Sequence, residues 1–170
     1  TLNSMKENAQ LKAGVDNAMS LLETCAERNA EAMSAPDHVQ AVLDVTRVFA
    51  DNAACLGPCH RTLEKICRTP AGKAQFVAKG GVAAVLANMT PGRMHDENTL
   101  PVMNLLDRLC RDPANIEGIK NAGGEDGGIS ALLCVLDNST SEEVTNVGAR
   151  VINKIAGAYL DEFLQKLEDP

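Results

Sequence analysis

The apolar positions of the chain return in a repeated pattern. Residues 80–86 have one counterpart 43 positions earlier, at 37–43, and another 47 positions later, at 127–133. The apolar positions that the three copies share are Val39, Val82 and Ile129; Ala41, Ala84 and Ala131; Val42, Val85 and Leu132; and Leu43, Leu86 and Leu133. A pattern that returns at a nearly fixed distance indicates a structural unit that stacks on copies of itself.

A second motif keeps the same distance. Residues 63–71 match residues 106–114 at an offset of 43, and Pro58 matches Pro101 at the same offset. Residues 152–156 form a weaker third copy, 46 positions after the second. Two separate motifs with one common offset support the repeat.

The N-terminal part predicts helices separated by prolines. Apolar residues at spacings of three and four predict a helix over residues 1–35, which Pro36 is expected to end. Asp37 is expected to cap the next helix, over residues 37–50. Pro58 is expected to break the chain before a further helix.

The later copies predict a short, a medium and a long helix in turn. In the second copy a short helix over 73–79 is followed by a sharp turn at Gly80 and Gly81, which the absence of a Cβ permits. A helix over 81–89 and a long helix over 97–111 complete the copy. We therefore predict a single domain over 1–170, with a helical flank or divergent repeat at 1–35, repeats at 36–72, 73–112 and 113–158, and a C-terminal capping helix at 159–170.

This order of helices, at this period, resembles the armadillo repeat, whose units are about 40–47 residues long. The likeness covers about residues 37–158. It implies an all-α chain folded as a right-handed superhelix of about three repeats with helical caps, whose third helices line a concave groove for extended peptides. In the nuclear-import adaptors of this family a Trp and an Asn hold the peptide, and neither stands at the matching positions here, so binding of nuclear signals is not expected.

Basic side chains stand where those groove residues would lie. They recur at spacings of four and seven, which places them on one helix face. The candidate peptide-binding residues are Arg61, Lys65, Arg68, Asn104, Arg108, Arg111, Arg150 and Lys154. Guanidinium groups bind carboxylate and phosphate in a fork, so the predicted partner is an acidic or phosphorylated peptide. The alternative is a solvated face whose bases balance the nearby Glu64, Asp107 and Asp112, and the sequence leaves both open.

Composition narrows the classes of function. The formal net charge is −7, which argues against bulk binding of nucleic acid or anionic membranes. Aromatic residues make up only 2% of the chain, so the core must consist of small aliphatic side chains and sulfur-containing ones. No apolar run approaches the roughly 20 residues that span a bilayer.

The sequence contains no recognisable catalytic or metal-binding arrangement. Cys67 and Cys110 occupy the same repeat column, which is typical of core residues, and the six cysteines are expected to be reduced. Gly80 and Gly81 belong to no phosphate-binding motif. We expect no cofactor, no metal and no enzymatic activity.

The sequence therefore predicts a cytoplasmic protein-interaction module that presents a locally basic groove to an acidic peptide. One alternative is a structural component of a cytoskeletal or other large assembly, which binds through its outer faces and ends and self-associates through exposed ends. A third is an armadillo-like chaperone cofactor.

Overall fold

The chain is helical throughout the part that the structure describes. The computed structural model describes residues 2–91, 95–123 and 127–168, and side chains between residues 14 and 160 apart from 16, 53–54, 92–94 and 124–126. Within these ranges the helices are α1 Leu2–Arg28, α2 Ala30–Met33, α3 Pro36–Val48, α4 Ala53–Ile66, α5 Pro70–Ala78, α6 Gly81–Leu86, α7 Asp96–Leu109, α8 Ile116–Lys120, α9 Gly127–Asn138 and α10 Glu142–Glu168. A 3₁₀ turn at Pro113–Asn115 precedes α8, and no strand occurs in these ranges, which confirms the predicted all-α class.

The helices follow one another in sets of three. The sets are α2–α3–α4, α5–α6–α7 and α8–α9–α10, and each ends in its longest helix. In the second set α5 has nine residues and α6 has six, so the predicted order of a short and then a medium helix is reversed there. The long helices pack in chain order, α4 on α7 and α7 on α10. α1 packs on α4 in the same way, so it occupies the place of a long helix ahead of the first set. α2 lies within the segment 1–35 that the sequence suggested as a flank, and the first set therefore begins at Ala30.

The repeated apolar columns form one core. Val42, Val85 and Leu132 are each at most 1% exposed and belong to a single continuous apolar cluster. Aliphatic, methionine and cysteine side chains fill most of this cluster, and Phe76 is the largest fully buried one. Matching positions of the sets thus bury their side chains against neighbouring sets.

Close contact between the first and the second helix of the later two sets depends on glycine. A Cβ on Gly81 would lie 2.4 Å from the ring of Phe76, and a Cβ on Gly128 would lie 1.7 Å from the carbonyl oxygen of Ile119. Gly80, just before α6, has a φ of +68°, a conformation that side chains with a Cβ rarely adopt. The glycines therefore let α6 begin directly against α5, and α9 directly against α8.

Pro58 does not break the chain as the sequence suggested. It is the sixth residue of a continuous helix, α4, and Pro101 is likewise the sixth residue of α7. Each proline removes one backbone N–H, but buried neighbours such as Cys59 and Leu63 hold α4 against the core. Thr62 also donates a hydrogen bond to the Pro58 carbonyl at 2.8 Å.

Asp37 does not cap a helix, and Pro36 begins one instead of ending one. α3 starts with Pro36 as its first residue after Ala35, because the fixed φ of proline suits the first helical position. The expected helix over 1–35 ends earlier, at Arg28, where Asn29 caps α2 by accepting a hydrogen bond from the Ala32 N–H at 3.1 Å.

α10 continues without a break through Tyr159 to Glu168, so no separate capping helix begins at 159. The side chains of this predicted capping segment beyond residue 160 lie outside the described ones.

Four of the six cysteines are buried, namely Cys55, Cys59, Cys67 and Cys110, and all six are free thiols. Burial raises the pKa of Cys59 and of Cys110 to about 11, and that of Cys67 to about 12. These three thiols are therefore protonated at neutral pH and act as small core side chains.

His60 is a buried polar residue on α4. Its side chain is 1% exposed, and its Nδ1–H donates a hydrogen bond of 2.9 Å to the Asn98 carbonyl on α7. Its Nε2 has no hydrogen-bond partner within the described residues. Burial lowers the pKa of His60 from 6.5 to about 4, because a charged imidazolium would have no solvation at this position.

Gly128→Ala is expected to lower the free energy of unfolding by about 2–3 kcal/mol, because the new Cβ would overlap the Ile119 carbonyl and the backbone would have to move. Gly118→Ala is the matched control, since a Cβ there meets no atom within 4 Å and lies inside α8. The control is expected to change stability by less than about 1 kcal/mol, towards higher stability. Urea unfolding of both variants measures this, and equal losses would contradict the close contact.

Protonation of His60 is expected to make the protein less stable in mild acid. The unfolded chain takes up this proton near pH 6.5 and the folded chain only near pH 4, so stability is highest above pH 6.5 and falls as the pH drops towards 4. The expected loss is about 3 kcal/mol over that range. His60→Met, which copies the buried Met103 at the matching position of α7, should remove this part of the pH dependence. Unfolding curves at several pH values measure it, and parallel profiles for both proteins would refute the assignment.

Candidate interaction surface

The predicted groove residues lie along three long helices. Arg61 and Lys65 are on α4, and Arg68 follows its last residue. Asn104 and Arg108 are on α7, and Arg111 follows that helix. Arg150 and Lys154 are on α10. Because α4, α7 and α10 pack side by side in this order, the structure brings these residues into one band.

The first part of the band joins α1 to α4. Glu23 accepts hydrogen bonds from the Arg61 Nε and from the Lys65 Nζ, each at 3.0 Å. Glu27 lies 2.9 Å from the Lys65 Nζ and 3.7 Å from a guanidinium nitrogen of Arg68. Both carboxylates therefore bind bases that lie about 40 positions further along the chain.

The same arrangement recurs between the later long helices. Glu64 on α4 binds Arg108 on α7 at 2.9 Å, and also Arg68 at 3.0 Å. Asp107 on α7 binds Lys154 on α10 at 2.9 Å and lies 3.6 Å from Arg150. Each long helix thus presents a carboxylate to bases of the next one. We call this set the charge band; its members are Glu23, Glu27, Glu64 and Asp107 with Arg61, Lys65, Arg68, Arg108, Arg111, Arg150 and Lys154.

These contacts keep the paired groups ionised. Burial alone would raise the pKa of Glu23, but the hydrogen bonds from Lys65 and Arg61 outweigh it and hold that pKa below its ordinary value. Burial would likewise raise the pKa of Asp107, and Lys154, Arg150 and Arg111 together lower it. The attraction is strong enough to matter because both carboxylates are largely withdrawn from water, with 21% and 14% of their side chains exposed.

The band contains more bases than acids. Seven basic side chains lie among four carboxylates, in a chain whose net charge is −7. The most exposed of the paired bases are Arg150 at 57%, Arg68 at 44% and Arg61 at 38%. A guanidinium carries five N–H donors, so an arginine in one such pair keeps donors for a further anion.

Two of the arginines lie just beyond the carboxyl ends of α4 and α7. Arg68 and Arg111 each stand two residues after the last residue of the helix, near the end where the helix dipole favours a cation. At the amino end of α10 the charge is mixed, because a cavity of about 520 Å³ there is lined by Glu142 and Glu143 as well as Arg150, Asn104, Asn146 and Val147. An acidic ligand would therefore bind nearer the carboxyl ends than at Asn104.

The alternative interpretation was a solvated face whose bases balance nearby acids. Two of the ion pairs that it requires are present, since Glu64 and Asp107 bind these bases. Glu23 and Glu27 complete the band and were not recognised from the sequence. A leucine followed by an acid occurs at Leu22-Glu23, Leu63-Glu64 and Leu106-Asp107, but it also occurs elsewhere, as at Leu43-Asp44 and Leu136-Asp137, so this pattern alone does not identify the band. The groove assignment itself stays a prediction.

The described residues support neither metal binding nor the crossing of a membrane. No group of three His, Cys, Asp or Glu side chains there is arranged to hold a metal ion. None of the helices in the described ranges combines the length and apolar character needed to cross a bilayer.

Comparisons of the chain with protein-family models, with curated proteins and with solved structures found no match. The armadillo resemblance therefore stays a prediction, and the argument for function rests on the residues of this chain.

The pair Asp107–Lys154 is expected to stabilise the fold more than an exposed pair does. A double-mutant cycle with Asp107→Asn and Lys154→Met should give a coupling of about 1 kcal/mol, because both groups are partly withdrawn from water. The control pair, Asp44–Arg47 on α3, is 56% and 43% exposed and should give less than about 0.5 kcal/mol. Urea unfolding gives both values, and equal couplings would contradict a structural role of the band.

Proposed function

We propose that this protein is an interaction module that binds an acidic or phosphorylated segment of a partner protein along the charge band, on an armadillo-like superhelical scaffold. One observation carries the proposal: seven bases share four carboxylates in one continuous band of an otherwise acidic chain.

The exposed arginines are the expected contacts. Arg68 and Arg150 each hold a carboxylate of this chain yet remain about half exposed, and Arg111 is exposed after the end of α7. Their outward N–H groups can donate to a carboxylate or phosphate in a bidentate fork. Lys65 is only 16% exposed and bonded to two carboxylates, so its proposed part is to hold the helices together.

A second candidate is a component of a larger assembly that binds through the ends of the helix row. The observation in its favour is that large apolar side chains are exposed on the outermost helices. Leu21 on α1 is 65% exposed, Leu133 on α9 is 48% exposed and Leu160 on α10 is 58% exposed. Val48 on α3 is exposed as well, at 74%, so exposed apolar side chains are not confined to the ends of the row.

Binding of a fluorescent polyglutamate peptide and of a phosphoserine-containing peptide, measured by fluorescence anisotropy, tests the first candidate. The variant Arg68→Gln, Arg111→Gln, Arg150→Gln should weaken binding about tenfold or more, because each arginine supplies a charge-assisted contact. Binding to the unmodified protein should weaken as salt is raised from low to physiological concentration. The replaced arginines are the exposed ones, so the helical circular dichroism should be retained.

Arg47→Gln is the matched control, since Arg47 is an exposed arginine on α3 outside the charge band. Its variant should bind like the unmodified protein. Absence of binding, or equal weakening by both variants, would refute the proposal. Self-association that disappears in Leu21→Ser or Leu133→Ser would then favour the second candidate.

A further inference from the structure

A groove lies between α5, the first helix of the second set, and the 3₁₀ turn with α8 at the start of the third set. It consists of two neighbouring hollows, one of about 430 Å³ and one of about 170 Å³, which share Val77 on α5 and Asn115 in the 3₁₀ turn. The larger hollow is also lined by Lys73, Arg108 and Asp112. We call the two hollows together the short-helix groove.

The larger hollow is lined by two basic side chains and one acidic one. Lys73 forms no ion pair with any residue that the structure describes. Arg108 reaches the hollow from α7, where one terminal nitrogen binds Glu64, and 36% of its side chain is exposed. Its guanidinium therefore keeps further N–H donors for an anionic ligand. Asp112 accepts a hydrogen bond from the Ala114 N–H at 3.0 Å and keeps its negative charge, so the lining has an excess of one base.

The smaller hollow is apolar and exists because its walls are small residues. Gly80, Ala83, Ala114, Gly118 and Ala122 line it together with the two valines Val77 and Val82. A Cβ built on Gly118 meets no atom within 4 Å, so the hollow is open at that point. Its volume is several times the roughly 30 Å³ that a water molecule occupies in the liquid, which leaves room for one aliphatic side chain.

Asn115 lies where the two hollows meet. Its Nδ2 donates a hydrogen bond of 3.2 Å to the Leu109 carbonyl, which leaves its Oδ1 available to accept one. An extended peptide offers free backbone N–H groups to such an acceptor, whereas the N–H groups inside a helix are already bonded. The junction therefore favours an extended ligand.

The positions of Lys73, in the larger hollow, and of Val77, which lines both hollows, suggest the ligand's spacing. Lys73 and Val77 are four residues apart on α5, a rise of about 6 Å. Side chains on the same face of an extended segment are two residues apart, at about 6.6–6.8 Å. An acidic side chain and an aliphatic side chain two positions apart would thus reach both hollows at once.

We propose that the short-helix groove binds an extended segment of a partner protein in which a carboxylate or phosphate contacts Lys73 and Arg108 while an aliphatic side chain two residues away enters the apolar hollow. This site is separate from the one proposed above, with only Arg108 common to both. It needs an acidic group next to an apolar one, whereas the charge band needs only acidic groups.

The test uses the full chain labelled with ¹⁵N and short synthetic peptides of glycine and serine that contain one glutamate and one leucine two positions apart, in both orders. Amide shifts on titration should concentrate at Lys73, Val77, Ala83 and Gly118. A peptide with phosphoserine in place of glutamate should bind at least as tightly, and peptides with glutamine for glutamate or alanine for leucine should bind about tenfold more weakly. A peptide that carries the two side chains four positions apart in a stable helix should bind less tightly.

Two variants separate this site from the charge band. Gly118→Leu fills the hollow without a clash and should weaken binding at least about tenfold, while Gly14→Leu on α1, where a Cβ also meets nothing within 4 Å, should have no effect. Lys73→Gln should weaken binding about threefold to tenfold, and Lys79→Gln, next to the end of α5, should not. The triple variant of Arg68, Arg111 and Arg150 should retain this binding even where it loses polyglutamate.

Three results would overturn the proposal: no shifts in the groove at millimolar peptide, unchanged binding in Gly118→Leu, or preference for the helical peptide. The first would leave polyglutamate binding to the charge band unaffected, so the two proposals fail independently.

Discussion

Burial of each helical set against the next holds this chain together. α1, α4, α7 and α10 pack in succession, and side chains such as Leu63, Leu106 and Ile155 are at most 2% exposed between them. Because these helices pack in succession, one continuous apolar core extends along the row. The glycine contacts bring the first and second helices of the later sets together within this order.

The charges follow the same order of packing. Glu23, Glu64 and Asp107 each face the next long helix, where bases receive them at about 3 Å. A half-buried carboxylate is stable only with such a partner, so these pairs fix how neighbouring long helices lie along one another. The bases closest to the interface are therefore structural, and only the arginines beyond it remain available to a ligand.

Glycine and alanine have two different effects in this fold. At Gly81 and Gly128 the missing Cβ is required, because neighbouring atoms occupy its place. At Gly118 nothing occupies that place, and the small residue leaves a hollow next to the one lined by Lys73 and Arg108. Arg108 connects the two surfaces, since its terminal nitrogen binds Glu64 while its side chain also lines the groove.

Several features could be read from neighbouring residues. The columns that contain Val42, Val85 and Leu132 are all buried, as their repetition indicated, and Gly80 and Gly81 do form a sharp turn with a positive φ. The sequence predicted that a helix ends at Pro36 and that the chain breaks at Pro58, and both predictions were wrong. Pro36 begins α3, because proline suits the first helical position, and Pro58 is held inside α4 by packing.

The sequence by itself determined the helical class, the repeated columns and the row of bases, because these depend on spacings within a helix and between copies. Only the tertiary structure decided which acid meets which base, that α1 supplies Glu23 and Glu27, and that the buried His60 has no hydrogen-bond partner for its Nε2 among the described residues. Those features depend on distances between helices about 40 residues apart in the chain. Packing sets such distances, and no local pattern of residues contains them.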